Sequence, residues 1–248
     1  MTALDAVPLL DSLCCARLLS ATAAVAICAP LAGIAGAQLA GARHNPRLPA
    51  GWSLATALAA ALTLAWGWRS GPGQEVLLGP QLAGGSLVHL DGLTAILLPL
   101  VALLSLAIVL VAPRRAVTVG GVTRLLAGAA LTTALMTTSH PVVLVILWVA
   151  SLLPTWLSTR ATPGGRPTAR VYALMMILGS VLFAVGVGLL ALDPPWAPQA
   201  GPAGAAGGWL VTLAVMIRKG IVPFHSWYPA LFTAAQMSAA LAATMPQV

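Results

Sequence analysis

Charge is what this chain has least of. Only 7% of its 248 residues are charged, and Asp and Glu together number 5. A soluble globular domain carries about 25% charged residues. A surface of this composition cannot be covered with charge, which excludes a soluble enzyme, a nucleic-acid-binding domain and a disordered tail. Cysteine is nearly as scarce, with Cys14, Cys15 and Cys28 alone. Adjacent cysteines make a poor disulfide, and no histidine is spaced to complete a metal site, so the three read as small apolar fillers. No glycine-rich phosphate loop and no cysteine set is present, so no nicotinamide, flavin, iron–sulfur cluster or other cofactor, and no metal, is expected. Gly179-Ser180 and Gly186-Val187-Gly188 read as small-residue faces for close helix packing.

Apolar residues are what the chain has in plenty, at 59%. They fall in long continuous runs. Backbone amides in lipid must be bonded internally, so runs of about 20 apolar residues read as spanning helices. The pattern predicts an all-α polytopic transmembrane bundle of about eight helices in a single domain over 1–248. The segments are 18–40, 51–68, 90–112, 122–138, 141–158, 171–192, 208–222 and 230–245. Asp5 and Asp11 precede the first basic residue, Arg17, so the N-terminus is not expected to be a cleaved secretory signal.

The net charge of +7 is distributed between the apolar runs rather than along one face. Arg43, Arg47, Arg114, Arg115, Arg160, Arg166 and Arg170 follow the first, third and fifth segments, with Arg124 at the start of the fourth. The loops after the second, fourth and sixth segments hold only Arg69. Positive residues remain on the cytoplasmic face. The asymmetry predicts a multi-pass protein of the cell (plasma) membrane with its N-terminus outside, and no nucleic-acid partner. On the outer side, Ser70–His89 and Asp193–Gly207 read as flexible connectors rich in Gly. Trp52, Trp66, Trp68, Trp209 and Trp227 lie near segment ends, as an interfacial belt requires. His44 falls in a basic loop, and His140 with Pro141 marks the turn into the fifth segment.

Polar residues inside the runs are costly and therefore informative. A Lys or Arg at a helix centre costs roughly 2.5–3.5 kcal/mol on insertion scales. Arg218 and Lys219 close the seventh segment and are followed at once by Gly220 and Pro223. Proline removes an amide donor and clashes with the preceding turn, so the seventh helix is expected to be interrupted near Pro223. Interrupted helices at membrane depth need protein or water to satisfy the freed backbone. Two readings stay open on these residues alone. In one, Arg218 and Lys219 line a water-accessible proton or ion path, with His225 as a relay. In the other, the helix ends at about Ile217 and the cations mark its cytoplasmic end. Asp91, the one acid near a membrane segment, reads either as an outer-side acid within reach of His89 or as the cap of the third helix.

The string Arg218-Lys219-Gly220-Ile221-Val222-Pro223-Phe224-His225-Ser226-Trp227-Tyr228-Pro229 resembles the seventh-helix signature of the antiporter-like membrane subunits. These subunits occur in respiratory complex I (NADH–quinone oxidoreductase), multisubunit cation/proton antiporters and membrane-bound hydrogenases. Ser238-Ala239-Ala240-Leu241, Ala243-Thr244-Met245 and Asp91-Gly92-Leu93-Thr94 resemble further family motifs. The resemblance implies the interrupted bundle, an outside N-terminus and partners that are other membrane subunits. The departures are as telling. Counted from Pro223, the family's lysine falls on Arg218, and Lys219 is one step and about 100° away. The family's fifth-helix Trp-Glu pair is Trp148-Val149 here, its Asp after Trp-Leu-Pro is Ala230, and its Ala-Pro-x-Pro is reduced to Ala234-Ala235-Gln236-Met237. Full-length members continue well past the eighth helix.

A titratable lysine poised against a carboxylate is therefore not written in this chain. The leading expectation is a subunit of a complex I-like or antiporter-like assembly that takes part in proton or cation translocation, without catalytic chemistry of its own. A branch resembling the membrane subunit of bicarbonate-uptake systems also lacks the helix 5 Glu. Its Trp-x-x-Ser-Leu stretch matches Trp148-Val149-Ala150-Ser151-Leu152, which makes inorganic-carbon uptake the alternative. A non-conducting scaffold is the third.

Overall fold

A computed structural model of the chain describes residues 3–40, 45–70, 76–82, 85–112, 117–193, 201–221 and 223–234. The architecture is an all-α polytopic bundle. Helices α1 (Ala3–Ala40), α2 (Arg47–Ser70), α3 (Gly92–Val111) and α4 (Val119–Thr137) form its first part. Helices α5 (Pro141–Ala150), α6 (Leu153–Ala161), α7 (Arg166–Leu192), α8 (Pro202–Lys219) and α9 (Trp227–Ala234) follow. Six segments among the described residues are long and apolar enough to cross a membrane, with α5 and α6 together making one of them. Large apolar side chains such as Leu31, Trp52, Ile96, Leu103, Leu174 and Ile177 face outward. In a bilayer they meet acyl chains rather than water, so their exposure carries no penalty.

Two interiors hold the helices together. In the first part Leu54, Leu126 and Val109 interlock with Ala37, Ala50 and Ala129. A second cluster of Ala23, Ala26, Leu64, Leu90 and Leu98 closes the half nearer the β-hairpin. In the second part α7 and α8 cross through small residues. A Cβ on Gly186 would stand 2.8 Å from Val211 Cγ2 and 2.9 Å from the Gly207 carbonyl oxygen. Close backbone approach of this kind is how membrane helices gain packing when no hydrophobic force drives them together.

Several elements differ from the sequence expectation, each for a local reason. The fifth segment, expected as one helix, is two, broken between Ala150 and Leu153. Part of the Ser70–His89 connector is paired rather than flexible. Strands β1 (Val76–Leu82) and β2 (Gly85–Leu90) form an antiparallel hairpin with Val76 opposite Leu90 and Leu82 opposite Gly85. Its register slips between Leu78 and Gln81, where Pro80 cannot donate to the ladder. In the second connector, residues 202–207 are the first turns of α8. Pro202 supplies a preset φ at the helix start. The Asp193 carboxylate, at the end of α7, accepts from the Gly201 amide at 3.0 Å and the Gly204 amide at 2.9 Å. Those two bonds hold its carboxyl below the usual range. Trp52, Trp66 and Trp209 are exposed as a belt would have them, but Trp227 is fully buried. Only residues 230–234 of the eighth segment, within α9, are described; the motifs at Ser238–Leu241 and Ala243–Met245 lie outside the described residues.

Replacing Gly186 with Val forces α7 and α8 apart. The expected cost is about 1–3 kcal/mol, read as a lowered melting temperature in detergent, with Gly188→Val, whose site is open, as the silent control.

Candidate functional site

The break in the fifth span begins with Pro154. It has no amide proton, and its ring clashes with the carbonyl one turn back, at Ala150. The Leu152 amide turns to the Val149 carbonyl at 3.1 Å, a tighter bond than the helical one. The Trp148 carbonyl loses its helical donor as a result. Ser151 Oγ donates to it at 2.7 Å. A short kink with a polar lining thus opens at residues 148–152, within a run that is otherwise apolar.

Helix α8 ends beside this kink. Gly220 takes the left-handed conformation at φ 63°, which a side chain would strain. Its amide bonds the Ile217 carbonyl at 3.2 Å, and the Ile221 amide bonds the Met216 carbonyl at 3.0 Å. That pair of bonds is a Schellman closure. The Trp227 indole N–H also donates to the Ile217 carbonyl, at 3.0 Å. The interruption expected near Pro223 is therefore present, with the helix ending at Lys219 and α9 starting at Trp227. Burial of Trp227 follows from this task. Its ring packs edge-on to Tyr172 and Tyr228, at centroid distances of 5.4 and 5.3 Å.

Arg218 points into the kink and is 4% exposed. Its Nη2 donates to Ser151 Oγ at 2.8 Å, and its Nη1 approaches the Trp148 carbonyl at 3.5 Å. The guanidinium carbon lies 4.1 Å from the Trp148 ring centroid. Phe183 stacks on the same ring at 3.9 Å with an 8° interplanar angle. Two groups so close cannot share one face, so Trp148 is sandwiched between Phe183 and Arg218. No carboxylate meets Arg218 among the described residues.

The depth of this cation follows from two independent registers. Ser151 is the central residue of the 21-residue span Pro141–Ala161. Gly179 is the central residue of the 27-residue span Arg166–Leu192. A Cβ on Gly179 would lie 3.4 Å from Ile217 Cγ2, one residue before Arg218. The midpoint of one span thus bonds the guanidinium, and the midpoint of the other packs against the residue before it.

The other sequence-predicted residues take separate places. Lys219 is half-buried on the turn beside Arg218. His225 is exposed in the turn between α8 and α9, and no described contact joins it to either cation. Asp91 caps α3, accepting from the Thr94 amide at 2.6 Å. Burial raises its pKa, but hydrogen bonding from Thr94 and the charge of His89 outweigh that and hold it below the usual carboxylate range. Of these residues, the structure brings together only Arg218, Lys219 and Gly220. Sequence reasoning named Trp148, Ser151 and Trp227 within motifs but did not join them to Arg218 or the end of its helix, and it missed Phe183. Ser151 and Pro154 inside an apolar run were the available signal.

Fold and site together define a polytopic membrane protein with a cation held inside its bundle. No protein-family model matches the chain, and no curated protein sequence matches it. Among solved structures, it is similar to a chain of respiratory complex I from Thermus thermophilus, with TM-score 0.69 and 22% identity over 90% of this chain and 52% of that one. A chain of the Mrp complex from a Dietzia species gives TM-score 0.68 and 20% identity, covering 88% of this chain and 45% of that one. A chain of an archaeal membrane-bound sulfane sulfur reductase gives 0.71 and 16%, covering 91% and 49%. The likeness is one of fold: the chain shares the fold of these membrane-complex chains, in keeping with the resemblance carried by the motif at Arg218–Pro229. The chain spans about half the length of the structures it matches.

Two outcomes are expected. Ser151→Ala strips the guanidinium of its shortest hydrogen bond and lowers stability by about 1.5–3 kcal/mol, whereas Ser158→Ala, on the same span, stays within about 0.5 kcal/mol; melting in detergent reads both. Asp91→Ala costs about 0.5–2 kcal/mol as a lost cap. Because the folded-state pKa of Asp91 is depressed, its contribution is complete above the ordinary carboxyl range and is lost as pH falls through the folded value. Melting curves of wild type and variant should therefore converge in acid.

Proposed function

We propose that this chain is a membrane subunit of a complex I-like or antiporter-like assembly and takes part in proton or cation translocation at mid-membrane. In this reading it is one transmembrane domain of the plasma membrane, N-terminus outside, with other membrane subunits as partners. The observation that carries the reading is the Arg218 guanidinium, held at the midpoint of two spans by Trp148 and Ser151 with no described carboxylate beside it. A guanidinium keeps its proton, whereas an ammonium can exchange one. Arg218 is thus the fixed charge and Lys219 the exchanging group, with His225 on the exposed side of the interruption. Adjacent cations repel, so an acid from a neighbouring subunit stabilises both when it approaches and frees Lys219 to release its proton when it withdraws. Coupling in this scheme depends on the assembly.

A second reading, inorganic-carbon uptake, draws on one observation: Ser151 and Trp148 of the Trp-x-x-Ser-Leu stretch are the groups that hold Arg218. Single replacements in the reconstituted assembly separate the readings. Lys219→Ala is expected to cut proton or cation flux in vesicles by on the order of tenfold or more, with assembly intact. Unchanged flux in both Lys219→Ala and Arg218→Ala, with intact assembly, would mean a scaffold. Rescue of growth at low carbon dioxide by the intact pair of genes, lost in Arg218→Ala, would mean carbon uptake.

A further inference from the structure

At the end of the bundle that the loop charges assign to the cytoplasm, α6 and α7 enclose a cavity of about 310 Å³ lined by Trp156, Arg160, Arg166, Ala169 and Arg170. Its volume lies at the lower end of the range typical of small-molecule sites. Three of its five lining residues are arginines, and no carboxylate meets them among the described residues. The two acids whose side chains are described, Asp91 and Asp193, belong to other helix ends; Asp193 lies about 35 Å along α7 from Arg170. Arg160 leans over the Trp156 ring at 5.2 Å, and both residues line the cavity. Arg166 and Arg170 stand one turn apart at the start of α7, where the helix dipole also favours an anion.

We propose that this cavity binds the phosphodiester headgroup of an anionic phospholipid. The chemistry is that of a phosphate, which guanidinium forks grip bidentately. The surroundings favour a lipid over the free ion. Leu153 and Leu157 on α6 and Val171 and Leu174 on α7 are all exposed beside the arginines. They offer an apolar strip for an acyl chain running from the headgroup along the span. Trp156 sits where an amphipathic ring bridges the two zones. Basic pockets between helices on the cytoplasmic side are suited to such headgroups. The site is independent of the mid-membrane cation and of what the assembly transports.

The test is native mass spectrometry of the detergent-purified full chain with phosphatidylglycerol, phosphatidylcholine and inorganic phosphate. Phosphatidylglycerol is expected to bind on the order of 100-fold more tightly than phosphatidylcholine. The triple variant R160Q/R166Q/R170Q should lose that preference. The variant R160K/R166K/R170K preserves the charges that set topology but not the forks, and the preference should fall roughly tenfold. If the glutamine variant fails to insert, the lysine variant decides. Equal retention of both lipids, or a preference unchanged in the lysine variant, overturns the proposal. Displacement of the lipid by millimolar inorganic phosphate identifies free phosphate as the ligand and also overturns it. So does protection of the three arginines from phenylglyoxal by a bound partner subunit with no lipid retained.

Discussion

A guanidinium inside a membrane bundle persists only where polar groups already wait for it. Here they wait because the fifth span is broken. Pro154 frees the Trp148 carbonyl, Ser151 turns to it, and the Trp148 ring offers a face. The magnitudes are comparable. Burying the cation costs roughly 2.5–3.5 kcal/mol on insertion scales. A desolvated cation–π contact returns about 2 kcal/mol, and a hydrogen bond to a charged group about 1.5–3 kcal/mol. A carboxylate is not required to keep Arg218 in place, which is consistent with Val149 standing where the related pattern has an acid.

The two interruptions depend on each other. The kink between α5 and α6 supplies acceptors for Arg218, and the closure of α8 at Gly220 aims Arg218 at the kink. Trp227 joins them to α9 by donating a second hydrogen bond to the Ile217 carbonyl, which also accepts from Gly220. Its burial against Tyr172 and Leu231 ties α7 into the same cluster. The members share their hydrogen-bond partners, so the region is expected to respond as a unit rather than residue by residue.

The spans were legible because an apolar run of sufficient length has few options in lipid. The interruption of the seventh helix was legible too, since Gly220 and Pro223 each act on the local backbone. The break in the fifth was equally local, through Pro154, yet a reading by apolar run passes over it. What no local pattern shows is the meeting of Arg218 with Ser151, 67 residues apart in sequence. Trp227 misled for a related reason. A tryptophan near a helix end fits an interfacial belt, and only its tertiary partner reveals that it closes a helix instead. The hairpin at Val76–Leu90 was hidden by its glycines and Pro80, which resemble a connector.

The central claim is that Trp148 and Arg218 form one unit at mid-membrane. A double-mutant cycle with Trp148→Leu and Arg218→Met, read as unfolding free energy in detergent, tests it most directly. Residues in contact show coupling of about 0.5–3 kcal/mol, and a desolvated pair of this kind is expected near 2 kcal/mol. Strictly additive losses would contradict the account.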